Sequence, residues 1–267
     1  MHPLLDVDRI DDDIEPYLQH LGEVFVVHRG HDSGNISYGV RIGTQRWFVK
    51  HTARPEALPH LESAQRFHAA VKHPAIVPLV GSVRTASGLA IIHPWVDGDI
   101  LNDPLAPGSL PRNHPDSAHS RFRGLPVKEI VEAMATIIDA HVAVTANGFV
   151  AVDFYDGSII YDFDRRETHL CDLDSYQPGP YVLDRDRQFG STRFMAPEEW
   201  QRGATIDERT TVFTLGRCAS VFLSTGEHWR ASQALHEVAH IAAQPDPRER
   251  YASVSALRTA WRAAAVR

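Results

Sequence analysis

The chain has 267 residues, 43% of them apolar and 23% charged, with a formal net charge of -7. That length can bury a sizeable core as one large domain or two small units, and the acidic balance argues against a general nucleic-acid binder, whose footprint would be basic. Cys171 and Cys218 are the only cysteines, so no disulfide framework is available and a reducing, cytoplasmic setting is expected. The start of the chain turns acidic at Asp11 to Asp13 without the regions of a signal peptide, and no apolar run approaches the roughly 18 residues of a membrane span.

In chain order, Glu23 to Val27 reads as a strand, followed by a turn-rich loop from Gly30 to Asn35. Ser37 to Ile42 and Gln45 to His51 read as two more strands, joined at Gly43-Thr44 as a hairpin. Glu56 to Val71 carries Leu58, Leu61, Ala64, Phe67 and Val71 at helical spacing. Short apolar runs at Ile76 to Val80 and Leu89 to Val96 complete an antiparallel sheet with one helix, over residues 1–97. Residues 102–126 hold five prolines and read as a loop or insertion within a connecting stretch, 98–126. From there to residue 267 the pattern is mostly helical. Val127 to Asn147, stopped at Asn147-Gly148, is followed by helices at Asp207 to Ser224, Ala231 to Ala243 and Ser253 to Val266.

The stretch between the first two of those helices carries the chemistry. Asp153 and Asp172, 19 residues apart, each end a short apolar run and look buried. Downstream comes Gly190-Ser191-Thr192-Arg193-Phe194-Met195-Ala196-Pro197-Glu198. A lone aspartate is more often a turn or capping residue. Two at this spacing, with that segment after them, favour a functional pair.

A strand-rich part with a glycine-bearing loop, then a helical part with spaced carboxylates, resembles the protein kinase superfamily. The most specific match is Gly190 to Glu198, which looks like the Gly-Thr-x-x-Tyr-x-Ala-Pro-Glu end of a kinase activation segment. Asp246-Pro247-Arg248-Glu249-Arg250 is similar to the family's Asp-Pro-x-x-Arg motif, and implies that Arg250 pairs with Glu198. The resemblance covers nearly the whole chain and implies an α+β, bilobal kinase-like fold: an N-lobe of antiparallel sheet with one helix, and a mostly helical C-lobe. It also implies ATP and Mg²⁺ as cofactors. Phosphoryl transfer needs positioning and neutralised charge more than covalent catalysis. Lys50 would grip the phosphates, with Glu62 as its partner and Glu56 as the alternative, and Ser33, Gly34 and Asn35 would cover them with backbone N–H groups. Trp95 and Val96 would face the adenine. Asp153 would orient or accept the proton of the attacking hydroxyl, and Asp172 would hold Mg²⁺, with Ser158 and Asp174 as further metal ligands.

Several positions depart from the family pattern. The catalytic-loop arginine is Val152, so activity without activation-segment phosphorylation is expected. The lysine two residues after the aspartate is Tyr155, the second metal-binding asparagine is Ser158, and Asp-Phe-Gly becomes Asp172-Leu173-Asp174. An aspartate that tethers the catalytic loop is Thr211, which would weaken that tether. Three functions follow. The first is a serine/threonine protein kinase, implied by Gly190 to Glu198. The second is a small-molecule kinase of the aminoglycoside or choline type, for which the acidic charge and the Asp153-to-Ser158 run argue. The third is a pseudokinase binding module. A rival motif, His236-Glu237-Val238-Ala239-His240, matches the zinc-protease signature HExxH. It lacks the glycine and methionine such sites need, and it reads instead as a helix burying Leu235, Val238, Ala239 and Ala242.

Overall fold

A computed structural model describes residues 2–29, 34–104, 106, 108–226 and 228–266. It is mixed α and β, with a five-stranded antiparallel sheet and seven helices among the described residues. Two compact units emerge. The first comprises Met1–Ala70, Val77–Asp97 and Asp103–Ser109, and the second Val71–Ile76, Gly98–Asn102 and Leu110–Arg267.

In the first unit, α1 (Ile14–Leu21) precedes β1 (Glu23–His28), β2 (Ile36–Ile42), β3 (Gln45–Thr52), α2 (Leu58–Ala70), β4 (Gly81–Arg84) and β5 (Leu89–Pro94). The strand order is β1-β2-β3-β5-β4, antiparallel throughout. The period-2 alternation of β3 sends Trp47 and Val49 into a core with Tyr38, Val40, Ala90 and Ile92. That face is closed by Leu4, Ile14 and Leu18. A second cluster joins Leu61 and Ala64 of α2 to Leu89 and Ile91 of β5.

Two expectations are corrected here. The unit has two helices rather than one. The eight-residue α1, preceded by the aspartate run, is anchored by only two fully buried residues, Ile14 and Leu18, so its sequence signal is short. The fourth strand is Gly81–Arg84 and not Ile76 to Val80. Ala75 to Val77 are apolar because they are buried, and Ile76 makes only an isolated bridge to Leu170.

In the second unit, β6 (Asp99–Ile100) pairs with β8, and α3 (Ala118–Gly124) and α4 (Val127–Ala146) lead to β7 (Phe149–Val150). The hairpin of β8 (Ile159–Asp162) and β9 (Glu167–Leu170) follows, then the short strands β10 (Gln177–Pro178), β11 (Tyr181–Val182) and β12 (Thr205–Ile206). After α5 (Glu208–Leu223) come β13 (Ser224–Thr225), β14 (His228–Trp229), α6 (Gln233–Ala242) and α7 (Val254–Ala265). The helix α5 is buried on nearly every side, which suits its run of small and apolar residues. Asp207, Ser232 and Ser253 cap α5, α6 and α7 through their side chains.

The proline-rich stretch is not all loop. Ser117 caps α3, and the hydroxyls of Ser117 and Ser120 both donate to the Arg112 carbonyl, at 2.8 and 3.0 Å. Phe122 is fully buried against Tyr161 and Phe222. A seven-residue helix is too short to show periodicity, so tertiary burial decides it.

Candidate functional site

The first unit holds the expected nucleotide-contacting residues. Lys50 lies mid-strand in β3, opposite Ser37 on one side and Ile91 on the other. Directly paired residues share a sheet face, so Lys50 is on the face where Ile91 meets α2. Glu62 of α2, the partner expected for Lys50, makes an ion pair with Arg84 at 4.0 Å, both side chains being partly exposed. The alternative, Glu56, is exposed and precedes the helix. Gly34 and Asn35 lie just before β2, with the Arg54 side chain packed against the Gly34 backbone. Ser33 lies outside the described residues. Trp95 donates its backbone N–H to the Arg46 carbonyl at 2.9 Å and meets Phe25 edge-on at 4.8 Å. Val96 follows it, half-buried.

The second unit gathers the carboxylates. The loop after β7 runs through Ala151, Val152 and Asp153, with Phe154 buried against His141 of α4. His141 is itself wholly buried. Its Nδ1 donates to the Ile137 carbonyl at 2.8 Å, so its Nε2 accepts from the Tyr176 hydroxyl at 2.7 Å. Burial depresses its pKa to about 4, keeping the ring neutral. The loop also has a tether after all. Thr211 of α5 accepts the Ala151 N–H through its hydroxyl, at 3.1 Å.

A turn at Asp156–Ser158 then enters β8. Because β8 pairs with β9, the Ser158 carbonyl accepts the Cys171 N–H at 3.0 Å, which sets Ser158 beside Asp172. The Ser158 hydroxyl is fully buried and has no hydrogen-bond partner among the described residues, an arrangement that normally needs explaining. Asp174 is buried in the turn that follows. Asp172 is exposed and Asp153 half-buried, so the expectation that both are buried fails for Asp172.

Three residues other than glycine have left-handed backbones among those described: Asp153 (φ 59°), Arg166 (φ 58°) and Asp172 (φ 55°). Arg166 closes the β8–β9 hairpin, where such a conformation is ordinary. The other two are the pair singled out from sequence. Tyr155 joins them. Its phenol is pushed well above its ordinary pKa by burial first, then by the charges of Asp172, Asp153 and Asp156. Its ring crosses Gly157 so closely that a Cβ there would lie 2.4 Å from it, which is why glycine is needed.

Against Asp153 stands Gly190 (φ 144°), where a Cβ would be 3.6 Å from Asp153 Oδ1. Gly190 opens the segment to Glu198, whose far end is pinned as expected. Arg250 grips Glu198 with two bonds, at 2.6 and 2.8 Å, and donates also to the carbonyls of Gln244, Arg209 and Pro245. Next to it, buried Glu199 accepts the Ala196 N–H at 2.7 Å. Burial pushes its pKa up to about 7; that N–H opposes the rise, while the charges of Glu198 and Asp153 add to it.

Sequence reasoning missed one group entirely. Asp156 is fully buried, and three basic side chains converge on it: Arg112 at 2.7 Å, His119 at 3.0 Å and Arg193 at 3.8 Å. Burial would raise the pKa of Asp156, but His119 and Arg112 outweigh that and hold it below the ordinary range. Arg112 and His119 come from the proline-rich stretch read as a loop, which hid them.

The HExxH residues lie on α6. Its buried face is Leu235, Val238, Ala239 and Ala242, as expected, while His236 packs on Trp229 and His240 contacts Gln244. Among the described residues no group of three or more His, Cys, Asp or Glu is placed to hold a metal ion. No helix among them is long and apolar enough to cross a membrane. No protein-family model matches the chain, and no curated protein matches it either.

Proposed function

We propose that the chain is an ATP-dependent phosphotransferase of the bilobal protein-kinase type, moving the γ-phosphate to a hydroxyl, with a serine or threonine of a protein as the favoured acceptor. The observation that carries the reading is the arrangement around Asp153. A left-handed aspartate lies against Gly190, and a second left-handed aspartate, Asp172, acts with it on the buried phenol of Tyr155. Backbone conformations of this kind concentrate at functional sites. The Gly190-to-Glu198 segment, anchored by Arg250, supports a peptide-like acceptor.

In this reading Asp153 orients the acceptor hydroxyl and takes its proton, and Lys50 holds the α- and β-phosphates. The donors suit Mg²⁺: a carboxylate from Asp172 and the orphaned hydroxyl of Ser158 beside it are hard oxygen ligands, with Asp174 adjacent in sequence. Bound there, the ion would neutralise phosphate charge. Where the family pattern has a lysine near the transferred group, this chain has the neutral phenol of Tyr155. Charge neutralisation at the γ-phosphate therefore rests more heavily on the metal ligands.

The test is nucleotide binding and transfer in the same samples. Mg²⁺ with ATP is expected to raise the melting temperature, and γ-labelled ATP to label a hydroxyl acceptor. Asp153→Asn is expected to abolish the labelling while keeping the melting shift. No shift at millimolar nucleotide would refute the proposal.

A further inference from the structure

The group around Asp156 carries more positive charge than one carboxylate can balance. Arg112 and Arg193 both face Asp156, and Arg217 of α5 donates its Nε to the Arg193 carbonyl at 3.3 Å. Arg123 donates to the Ser224 carbonyl, and Arg230 donates to the carbonyls of Arg123 and Leu125. These two guanidiniums are thus tied to neutral backbone oxygens. The Arg123 Nε is buried and has no hydrogen-bond partner among the described residues. Arg193 responds to this crowding. Its pKa is lowered by partial burial first and next by Arg112; Asp156 opposes the drop, and Arg123 and Arg217 add to it. In a chain whose net charge is -7, a half-buried cluster of arginines whose ion pairs among the described residues all go to Asp156 is not explained by those pairs. Guanidiniums held by their neighbours lose little freedom when an oxyanion arrives, and their planar fork matches phosphate and carboxylate oxygens.

We propose that Arg193, Arg112 and Arg217 form a receptor for an oxyanion of the phosphate-monoester type, carried by the acceptor molecule. The location fits an acceptor. Arg193 is three residues beyond Gly190, the residue packed on Asp153, and its side chain is 39% exposed. An acceptor with its anionic group on Arg193 would have its hydroxyl within reach of Asp153. The acceptor role rests on the phosphotransferase reading; the anion site does not. Acceptor choice at this site follows the local field rather than the net charge of the chain.

The site is tested on the full chain without nucleotide, after phosphatase treatment checked by intact mass, so that no phosphate on Ser191 or Thr192 competes. Inorganic phosphate and phosphoserine are titrated at constant ionic strength against chloride, following melting temperature and heat of binding. Saturable binding of both is expected, weakened at least tenfold in Arg193→Ala and again in Arg217→Gln. Asp156→Asn removes the competing carboxylate and is expected to tighten phosphate binding several-fold, which a merely structural cluster would not do. Equal response to phosphate and chloride, or unchanged binding in a folded Arg193→Ala, overturns the site. Should Asp156→Asn fail to fold, Arg193→Ala still decides. A second arm compares transfer to one serine peptide with neutral or phosphorylated flanking residues. Preference for the phosphorylated form, lost in Arg193→Ala, supports the acceptor assignment, whereas anion binding without preference overturns that assignment alone. Absence of nucleotide binding with the anion site intact would instead sink the phosphotransferase reading.

Discussion

Replacing Arg250 by methionine removes a heavily bonded side chain of the second unit. Its guanidinium is fully buried and makes five donations: two to the Glu198 carboxylate and one each to Gln244, Arg209 and Pro245. Methionine fills similar space and keeps apolar contact with Phe213, over whose ring the guanidinium sits at 4.7 Å. It supplies no donor, so Glu198 keeps only the Thr210 hydroxyl, at 2.8 Å. Removing one partner of a buried ion pair costs about 3–5 kcal/mol, because the remaining charge is stranded. At ~2–4 °C per kcal/mol for a chain of this size, the melting temperature should fall by roughly 10 °C. Replacing both members with apolar residues (Arg250→Met with Glu198→Leu) should recover much of that loss, since neither charge is then buried alone. Thermal and urea unfolding of the two single variants and the double variant measure this. A loss of less than about 1 kcal/mol in Arg250→Met would refute the view that the pair anchors the segment.

Two further predictions concern neighbouring groups. Thr211→Val orphans the buried Ala151 N–H and should cost about 1–3 kcal/mol, with Thr211→Ser restoring it; hydrogen exchange at Ala151 should quicken in the valine variant, and unchanged exchange would show that the hydroxyl is not the tether. The folded-state pKa of Glu199 is raised to about 7 from its ordinary 4.5. Its stability contribution is therefore fully present below about pH 4.5 and lost as pH rises through about 7, roughly 3 kcal/mol in all. Glu199→Gln keeps the acceptor for Ala196 and should remove that slope, so the variant gains on the wild type between pH 5 and pH 8 in urea unfolding. Parallel pH profiles would rule out the buried neutral acid.

Local patterns in the sequence determined much of this protein. Alternation and the Gly43-Thr44 turn set the β2–β3 hairpin, and helical spacing set α4 to α7 within a residue or two. The Glu198–Arg250 pair was legible because both residues sit in recognisable short motifs. What tertiary structure decided is what depends on distant partners. Asp156 looked like one acid in a run, and only folding brings Arg112, from 44 residues earlier, and Arg193 onto it. Glu62 sat at a plausible helix position, and only the fold brings Arg84 of β4 to within 4.0 Å of it. Thr211 looked too weak to hold the loop after β7 until the fold placed its hydroxyl 3.1 Å from a buried amide. Propensity and periodicity act between near neighbours and are written in the chain. Charge convergence and burial are summed over the packed unit, so only the fold fixes them.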